Sequence, residues 1–365
     1  MSKSLSQWLK SLVAVVVGLG LSLVVISGIT RYASVLSGNF NDFDFSDLYM
    51  RVGERNEVAT LSEDVVIVSV DGCSRTGVRQ VIEAVDFFSP AAVGLDIFFL
   101  YPSEDGDALA QSLSCCDNLV LPLAVGRDFS GSYFYDTLDA EYGVVNIQSS
   151  SSYDVVRDYV TVYQTDTAEY VSMPMALVRK AGFTDVEVSS EQRDIWYPSV
   201  EFDIIKADEI VDDAGVPLFS CADRIEGKIV LIGDVKYVGD MHRTPIDEEM
   251  PGIMIQAHII DTLINDRHVN EASVFWCLFI AFIVCLLFTR LQIHMKEKWD
   301  DVGEMLMCIM QFVLVYIFFV LGVNLYLRSG LFIDFSMTMM MLCLSLSVLS
   351  LINGLNYIWN KIRKI

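Results

Sequence analysis

Apolar positions are concentrated in four stretches of the chain, at residues 11–30, 273–290, 305–327 and 331–352. Each stretch is close to the roughly 20 helical residues that cross the hydrocarbon core of a bilayer. The first is longer than the apolar core of a typical signal peptide, and no small-x-small cleavage motif closes it. We therefore expect a retained signal anchor rather than a cleaved signal peptide, followed by three further transmembrane helices.

Charge divides the chain in a way that indicates a membrane topology. Residues 31–272 contain 43 Asp and Glu against 16 Lys and Arg, a net charge of 16 − 43 = −27, whereas the remaining residues contain 9 bases and 5 acids. Lys and Arg are enriched in cytoplasmic segments. We therefore predict a multi-pass protein of the plasma (inner) membrane, with residues 1–10, 291–304 and 353–365 in the cytoplasm and residues 31–272 extracytoplasmic.

Within residues 31–272, short runs of β-branched residues alternate with helical patterns. Residues 64–71, 91–100, 119–125 and 228–234 are nearly continuous apolar runs, which is typical of strands covered on both faces. After the first run, residues 76–88 place apolar side chains at helical spacing. The alternation of strands and helices predicts an α/β domain with a largely parallel sheet.

The region between the third and fourth runs has a weaker periodicity. Residues 143–147 and 158–164 predict strands in a hairpin-like setting, and residues 173–181 predict a helix ended by Gly182. We therefore expect a partly antiparallel insertion between the third and fourth core strands.

The acidity of the exported domain excludes nucleic-acid binding, because phosphate recognition requires a basic patch that this sequence does not contain. The domain has four cysteines, Cys73, Cys115, Cys116 and Cys221. Export permits disulfides, but a domain of this size does not need them for stability. Disulfides and free buried thiols are both compatible with the sequence.

Carboxylates at the ends of predicted strands are the candidate ligand-binding groups. Asp71 and Asp96 end the first two runs, and the carboxyl ends of parallel strands face the crevice in which ligands bind. We expect Asp71, Asp96 and Asp240 to form one site; the alternative is that the first two cap the following turns. Because no catalytic, phosphate-binding or metal-ligand motif lies in the context that it needs, we expect no enzyme activity, no cofactor and no metal.

A coupling segment is expected at residues 227–264, between the exported domain and the second apolar stretch. The segment begins as a buried strand and continues through a polar loop that contains Pro245, Pro251 and Gly252. It ends as an amphipathic helix that carries His258, for which a packing role is favoured over a role as a base or pH sensor.

Several motifs resemble the type-two CHASE domain, a family of extracytoplasmic sensory domains. VVIVSVDGCS at residues 65–74, GLDIFF at residues 94–99 and KIVLIG at residues 228–233 occur in the order of the family's motifs. The most specific are D-x-x-x-T-P at residues 240–245 and MPGIMIQAHII at residues 250–260. The resemblance implies a sensory domain with one membrane span before it and three after it, and a homodimer.

The resemblance implies a sensor, and the way in which this sequence departs from the family pattern leaves a second function open. Family members commonly continue from the last span into a cyclase or kinase domain, whereas in this sequence residue 352 is followed by NGLNYIWNKIRKI. We therefore expect a membrane-anchored sensor that signals through a separate membrane or cytoplasmic protein partner. The alternative is a structural or docking subunit of a cell-envelope complex, held in the lipid bilayer.

Overall fold

The computed structural model of the protein describes residues 3–36, 44–56, 58–102, 106–126, 130–147, 155–165 and 168–363. The chain forms two units. Met1–Val52 and Val269–Ile365 make up the membrane unit, and Gly53–His268 make up the α/β unit.

The helices and strands are numbered in chain order. The helices are α1 (Lys3–Leu36), α2 (Phe45–Asn56), α3 (Arg75–Phe87), α4 (Gly106–Cys115), α5 (Met173–Lys180), α6 (Ala207–Ile210), α7 (Ala222–Ile225), α8 (Gly252–Ile264), α9 (Val274–Ser329) and α10 (Ser336–Ile362). The strands are β1 (Thr60–Ser69), β2 (Ala92–Asp96), β3 (Leu119–Ala124), β4 (Ser130–Gly131), β5 (Glu141–Val144), β6 (Asp158–Tyr159), β7 (Val162–Gln164), β8 (Glu169–Val171), β9 (Arg193–Asp194), β10 (Val200–Lys206), β11 (Ile229–Gly233), β12 (Met241–His242), β13 (Met250–Pro251), β14 (Asn270–Glu271) and β15 (Leu331–Phe332).

The main sheet of the α/β unit has the order β10–β1–β11–β2–β3, and both β4 and β5 pair with β3. Strands β10, β1, β11, β2, β3 and β5 are parallel to their neighbours, whereas β4 is antiparallel to β3. The predicted α/β class with a largely parallel sheet is therefore confirmed. The fourth predicted run, β11, lies between the first two, β1 and β2.

Two parts of the sheet differ from the prediction. The sequence pattern did not predict β10, because this edge strand alternates buried and exposed residues instead of forming a continuous apolar run. The prediction of a hairpin at residues 143–147 is wrong, because β5 pairs with β3 in the parallel direction. The antiparallel part of the insertion consists of the short pairs β6–β9 and β7–β8.

Two layers of helices cover the sheet. One face packs against α3 and α4 through a cluster that includes Val68, Val81, Leu95, Leu109 and Ile232. Successive side chains of a strand point to opposite faces, so the positions next to Leu95 and Ile232 face the other layer. A Cβ added at Gly94 would lie 2.7 Å from Leu177 of α5, and one at Gly233 would lie 2.7 Å from Ile253 of α8. Helices α5 and α8 therefore form the second layer.

Three of the described helices are long and apolar enough to cross a membrane: the Ser4–Val25 part of α1, the whole of α9, and α10. The last of them begins at Ser336, and not at residue 331 as the apolar pattern predicted. The preceding residues form β15, and the Asp334 carboxylate accepts a hydrogen bond of 2.8 Å from the backbone N–H of Ser336.

The helix α9 is interrupted at Asp300, whose φ of 49° and ψ of −125° are not helical. A Cβ at Gly303 would collide with the carbonyl oxygen of Met295, and Lys296 Nζ lies 2.9 Å from Glu304 Oε2. Residues eight positions apart in a straight helix would be separated by about 12 Å along its axis. The chain therefore folds back on itself at Asp300.

The chain that enters the membrane unit is hydrogen-bonded to the connection between α9 and α10. Strand β14 pairs in parallel with β15. The N–H of Asn270 donates to the carbonyl oxygen of Gly330 at 2.7 Å, and the N–H of Ala272 donates to that of Phe332 at 2.8 Å. This two-stranded pair fixes residues 270–272 to the loop that precedes α10.

Candidate functional site

The candidate site lies at the carboxyl edge of the parallel sheet. In the register of the sheet, Ser69 of β1 is opposite Gly233 of β11, and Gly233 is opposite Asp96 of β2. Asp71 follows β1 by two residues, and Asp234 directly follows β11. The chain after β1 and β2 leads to the α3–α4 layer, whereas the chain after β11 leads to α8 on the opposite face. Ligands of open parallel sheets bind at such a reversal of connections.

Asp71 accepts hydrogen bonds from Asp234 and from three further donors. The Ser69 hydroxyl donates to Oδ2 at 2.7 Å, and the backbone N–H groups of Val235 and Lys236 donate to Oδ1 at 2.9 and 3.1 Å. Burial raises the pKa of Asp71, but hydrogen bonds from Asp234 and from these donors outweigh it, so the pKa is below its ordinary value. Asp71 therefore joins the end of β1 to the loop after β11, which is distant in sequence from the turn that directly follows β1.

Asp234 is an acidic residue that the sequence reasoning missed. Its hydrogen bond to Asp71, and then its burial, raise the pKa of the Asp234 carboxyl above its ordinary value. Asp234 is thus the member of the pair that holds a proton more readily. Its position after an apolar run, like that of Asp71 and Asp96, was the signal that could have identified it.

A second acidic group is formed by Asp96, Asp240 and His242. Burial, together with the negative charge of Asp240, raises the pKa of Asp96 to about 7, although the nearby His242 lowers it. The Nε2 atom of His242 lies 3.2 Å from Asp240 Oδ1. Asp96 therefore changes its charge near neutral pH. The sequence prediction placed Asp96 and Asp240 in one site but did not include His242.

The same group lies against the beginning of α8. Residues of β12 pair with β13, so that His242 is opposite Met250 and Met241 is opposite Pro251. A Cβ added at Gly252, the first residue of α8, would lie 2.5 Å from Asp240 Oδ2. Only a glycine leaves room for the carboxylate there, at the helix end where unpaired N–H groups favour a negative charge.

Pro245 and Pro251 shape the loop that carries the chain from β12 to α8. Pro245 is buried in a turn in which Thr244 N–H and hydroxyl donate to the Asp247 carbonyl oxygen at 2.7 and 3.0 Å. Pro251 is the residue before α8 and has a φ of −60°. Both prolines therefore restrict the loop between the acidic group and the helix.

His258 lies two turns further along α8, away from the acidic edge. Its ring is buried between Tyr197 and Phe202, with ring centroids 5.0 and 4.9 Å away. Burial lowers the pKa of His258 to about 3, although a hydrogen bond to the Trp196 backbone raises it. A neutral, buried imidazole at physiological pH packs the α8 layer and does not titrate there.

The four cysteines of the α/β unit form no disulfide in the structure. Cys73, Cys115, Cys116 and Cys221 are unpaired thiols, and the Cys116 Sγ donates to Asp86 Oδ1 at 3.2 Å. In the part of the chain that the structure describes, no three His, Cys, Asp or Glu side chains are grouped so that they could hold a metal ion.

These features define a class: a mixed α/β domain with an acidic crevice, carried by a chain with membrane-type helices. The chain belongs to the CHASE2 domain family, whose family model matches residues 20–291. CHASE2 is an extracytoplasmic sensory domain, and the apolar helices are those of a membrane protein. No curated protein and no solved structure matches the chain significantly.

Proposed function

We propose that this protein is a multi-pass sensor of the plasma (inner) membrane, with residues 31–272 outside the cytoplasm. Ligand binding at the acidic edge, without catalysis, changes the position of the segment 227–264. The change is passed through the membrane helices to a separate membrane or cytoplasmic protein. The positions of Lys and Arg in the sequence support this orientation.

Four membrane crossings are inferred from the turn at Asp300. A straight helix of 56 residues such as α9 would be about 84 Å long, almost three times the thickness of the hydrocarbon core. The turn at Asp300 leaves two helical parts of suitable length. The turn itself contains Lys296, Lys298 and Glu304, and charged side chains of this kind are stable in water or at the membrane surface.

The observation that carries the sensor proposal is the contact between the acidic edge and the first turn of α8. A ligand on Asp240 would directly contact the residues around Gly252, and Asp96 lies beside Gly233, which packs against Ile253 of the same helix turn. Helix α8 is the last helix before the chain enters α9. A ligand shifts an equilibrium only if it binds two states differently. Rearrangement of the loop that contains Pro245 and Pro251 would provide the second state.

The chemistry of the edge favours a cationic ligand or one rich in hydrogen-bond donors. Asp96 and Asp240 are close enough for their charges to interact unfavourably, as the raised pKa of Asp96 indicates. A bound cation relieves this repulsion and stabilises both carboxylates in their ionised form. An anionic ligand would add to the repulsion.

Ligand-dependent melting of the full-length protein in detergent tests this proposal. A panel of amines, polyamines, amino acids and cationic peptides should contain compounds that raise the melting temperature, because a ligand of the native state stabilises it. Asp96→Asn and Asp240→Asn should abolish the increase, and the exposed Asp213→Asn should retain it. An increase that survives in both edge variants would exclude this site.

The exposed end of α10 supports the proposal that the protein signals through a separate partner protein. Residues 354–363 are exposed on all sides, and they include the apolar side chains of Leu355, Ile358 and Trp359. About 20 of the 27 residues of α10 suffice to cross the hydrocarbon core, so the last turns can extend beyond it. We propose that a protein partner covers the apolar side chains of these last turns where they leave the bilayer.

Co-purification in mild detergent distinguishes the sensor proposal from the alternative that the protein is a docking subunit. A sensor should bring with it a signalling protein whose activity changes with the ligand. A structural subunit should bring a stoichiometric partner whose association and activity do not depend on any ligand, and that result would replace the sensor proposal.

A further inference from the structure

The membrane unit contains a cavity of about 270 Å³ between α1, α9 and α10. A water molecule occupies only about 30 Å³ in the liquid, so the cavity is large enough for a sizeable chemical group. Its wall combines polar side chains, among them Lys10, Gln292 and Asn353, with the apolar side chains of Met307 and Leu349. The wall is therefore amphipathic.

Gln292 gives the cavity an acceptor that has no donor. The side chain is 3 % exposed, and its Nε2 donates to the Ser345 hydroxyl at 3.0 Å. Its Oε1 atom has no hydrogen-bond partner among the described residues. Buried polar atoms are almost always hydrogen-bonded, so an orphaned oxygen in a cavity wall indicates a missing donor.

Lys10 gives the cavity a cation without an ion pair. The other lysine in the wall, Lys296, is paired with Glu304 at 2.9 Å. In the part of the chain that the structure describes, the Lys10 ammonium has neither a hydrogen bond nor a salt bridge. An occupant with an anionic group would satisfy Lys10 at the same time as a donor satisfies Gln292.

The cavity lies at the end of the helices where the charged residues of the turn are found. Lys296, Glu297 and Glu304 line it together with Leu346 and Ile293. Charged and apolar side chains meet in this way at the depth of lipid headgroups. The two lysines and two glutamates of the wall give it no net charge, so the contact with a headgroup phosphate rests on Lys10.

We propose that this cavity binds the headgroup of a phospholipid whose phosphodiester carries an alcohol with a hydrogen-bond donor, such as ethanolamine or glycerol. The phosphate pairs with Lys10, and the N–H or O–H of the alcohol donates to Gln292 Oε1. Choline has a similar size and the same phosphate but no N–H or O–H, so it leaves the Gln292 oxygen unpaired. On the proposed topology, the lipid belongs to the cytoplasmic leaflet; the binding itself does not depend on that topology.

Native mass spectrometry of the delipidated full-length protein tests the donor requirement. Phosphatidylethanolamine and phosphatidylglycerol should bind about tenfold more tightly than phosphatidylcholine with the same acyl chains, since a buried hydrogen bond is lost with choline. Gln292→Leu should remove this preference. Gln311→Leu is the matched control, because Gln311 is also buried with an orphaned Oε1 but does not line the cavity.

A second pair of variants tests the phosphate contact. Lys10→Gln should weaken all three lipids by about tenfold, because each has the phosphate, whereas Lys298→Gln outside the cavity should not. If Gln292→Leu does not fold, Lys10→Gln still tests the proposal independently. Equal binding of the three lipids to the unmodified protein, or affinities unchanged in Lys10→Gln, would overturn the proposal.

A competition experiment distinguishes a lipid headgroup from a free phosphodiester as the ligand of the cavity. Soluble glycerophosphoethanolamine has the same phosphate and donor but no acyl chains. It should displace the lipid only at far higher concentration, because the apolar wall and the bilayer favour the lipid. Displacement at equal concentration would show that the ligand is a free phosphodiester and not a lipid.

Discussion

Asp96 links the end of the sheet to the charge of the crevice, because the protonation of its carboxyl depends on both its burial and its charged neighbours. Its carboxyl lies beside Gly233 at the end of β2, where burial disfavours the charged form. Asp240 adds a negative charge on the same side, and His242 reduces the effect without cancelling it. The fold therefore holds a carboxyl group that keeps its proton far above the pH at which an exposed aspartate loses it.

This arrangement predicts a pH dependence of stability that belongs to Asp96. Its pKa is raised from 3.8 to about 7, so the folded state binds the proton more tightly than the unfolded chain. The resulting stability is fully present below about pH 4 and is lost as the pH rises to about 7, by an amount on the order of 4 kcal/mol. Melting temperatures between pH 4 and 8 measure it.

Asp96→Asn should flatten this part of the curve, because the amide does not titrate. Asp213→Asn, an exposed control, should leave the slope unchanged. If Asp96→Asn retains the full pH dependence, another group is responsible. Asp234 is then the next residue to substitute, because its pKa is also raised.

Individual residues were predicted from the sequence only where their position in a strand fixed them. Asp71 and Asp96 end apolar runs, so their placement at the carboxyl edge required no tertiary information. Their roles could be recognised only from the tertiary structure. Hydrogen bonds from the loop after β11 connect Asp71 to that loop, and burial makes Asp96 titratable near neutral pH. His242 became part of the site through the β12–β13 pair, which the sequence did not indicate.

The contact between β5 and α5 shows how closely one element of the insertion packs against another. A Cβ added at Gly143 would collide with the backbone of Met173, the first residue of α5. Backbone atoms cannot move aside as the end of a flexible side chain can. The parallel pairing of β5 with β3 therefore depends on a glycine at this position.

Gly143→Ala should destabilise the α/β unit by about 1–3 kcal/mol, the usual cost of overpacking. Gly126→Ala is the matched control, since its added Cβ meets nothing within 4 Å, and its effect should stay within about 0.5 kcal/mol. Urea unfolding of the full-length protein followed by tryptophan fluorescence compares the two. Equal stability of the two variants would contradict the close contact.

At the level of elements, apolar runs predicted strands well when both faces of the strand were covered. The residues of β2 and β11 are almost all buried, and their runs are continuous. The edge strand β10 has an exposed residue at every second or third position, and β5 has only four residues. Short or edge strands depend on partners distant in sequence, so their direction could not be predicted from local pattern.

At the level of the whole chain, the topology predicts which residues a reagent can reach from each side of the membrane. Single cysteines at Lys298, Asp213 and Arg328 can be introduced into a variant whose native cysteines are replaced by serine. A membrane-impermeant maleimide added to intact cells should label the cysteines at 213 and 328 and should leave the one at 298 unlabelled until the cells are opened.

The position of the turn in α9 makes this test specific. Lys298 precedes the turn at Asp300, and Arg328 lies in the last turn of the same helix. In the proposed topology, the second part of α9 crosses the bilayer once between these two residues, so they lie on opposite sides. Labelling of both from the same side would exclude the crossing of the second part of α9.

The pairing of β14 with β15 has a mechanical consequence. The hydrogen bonds of Asn270 and Ala272 to Gly330 and Phe332 clamp the incoming chain to the hinge between two helices. A force applied to residues 270–272 would therefore act on the start of α9, on the end of the same helix and on the loop before α10, because all three lie within a few residues of these hydrogen bonds. The force would be distributed over several helix ends instead of acting on one helix.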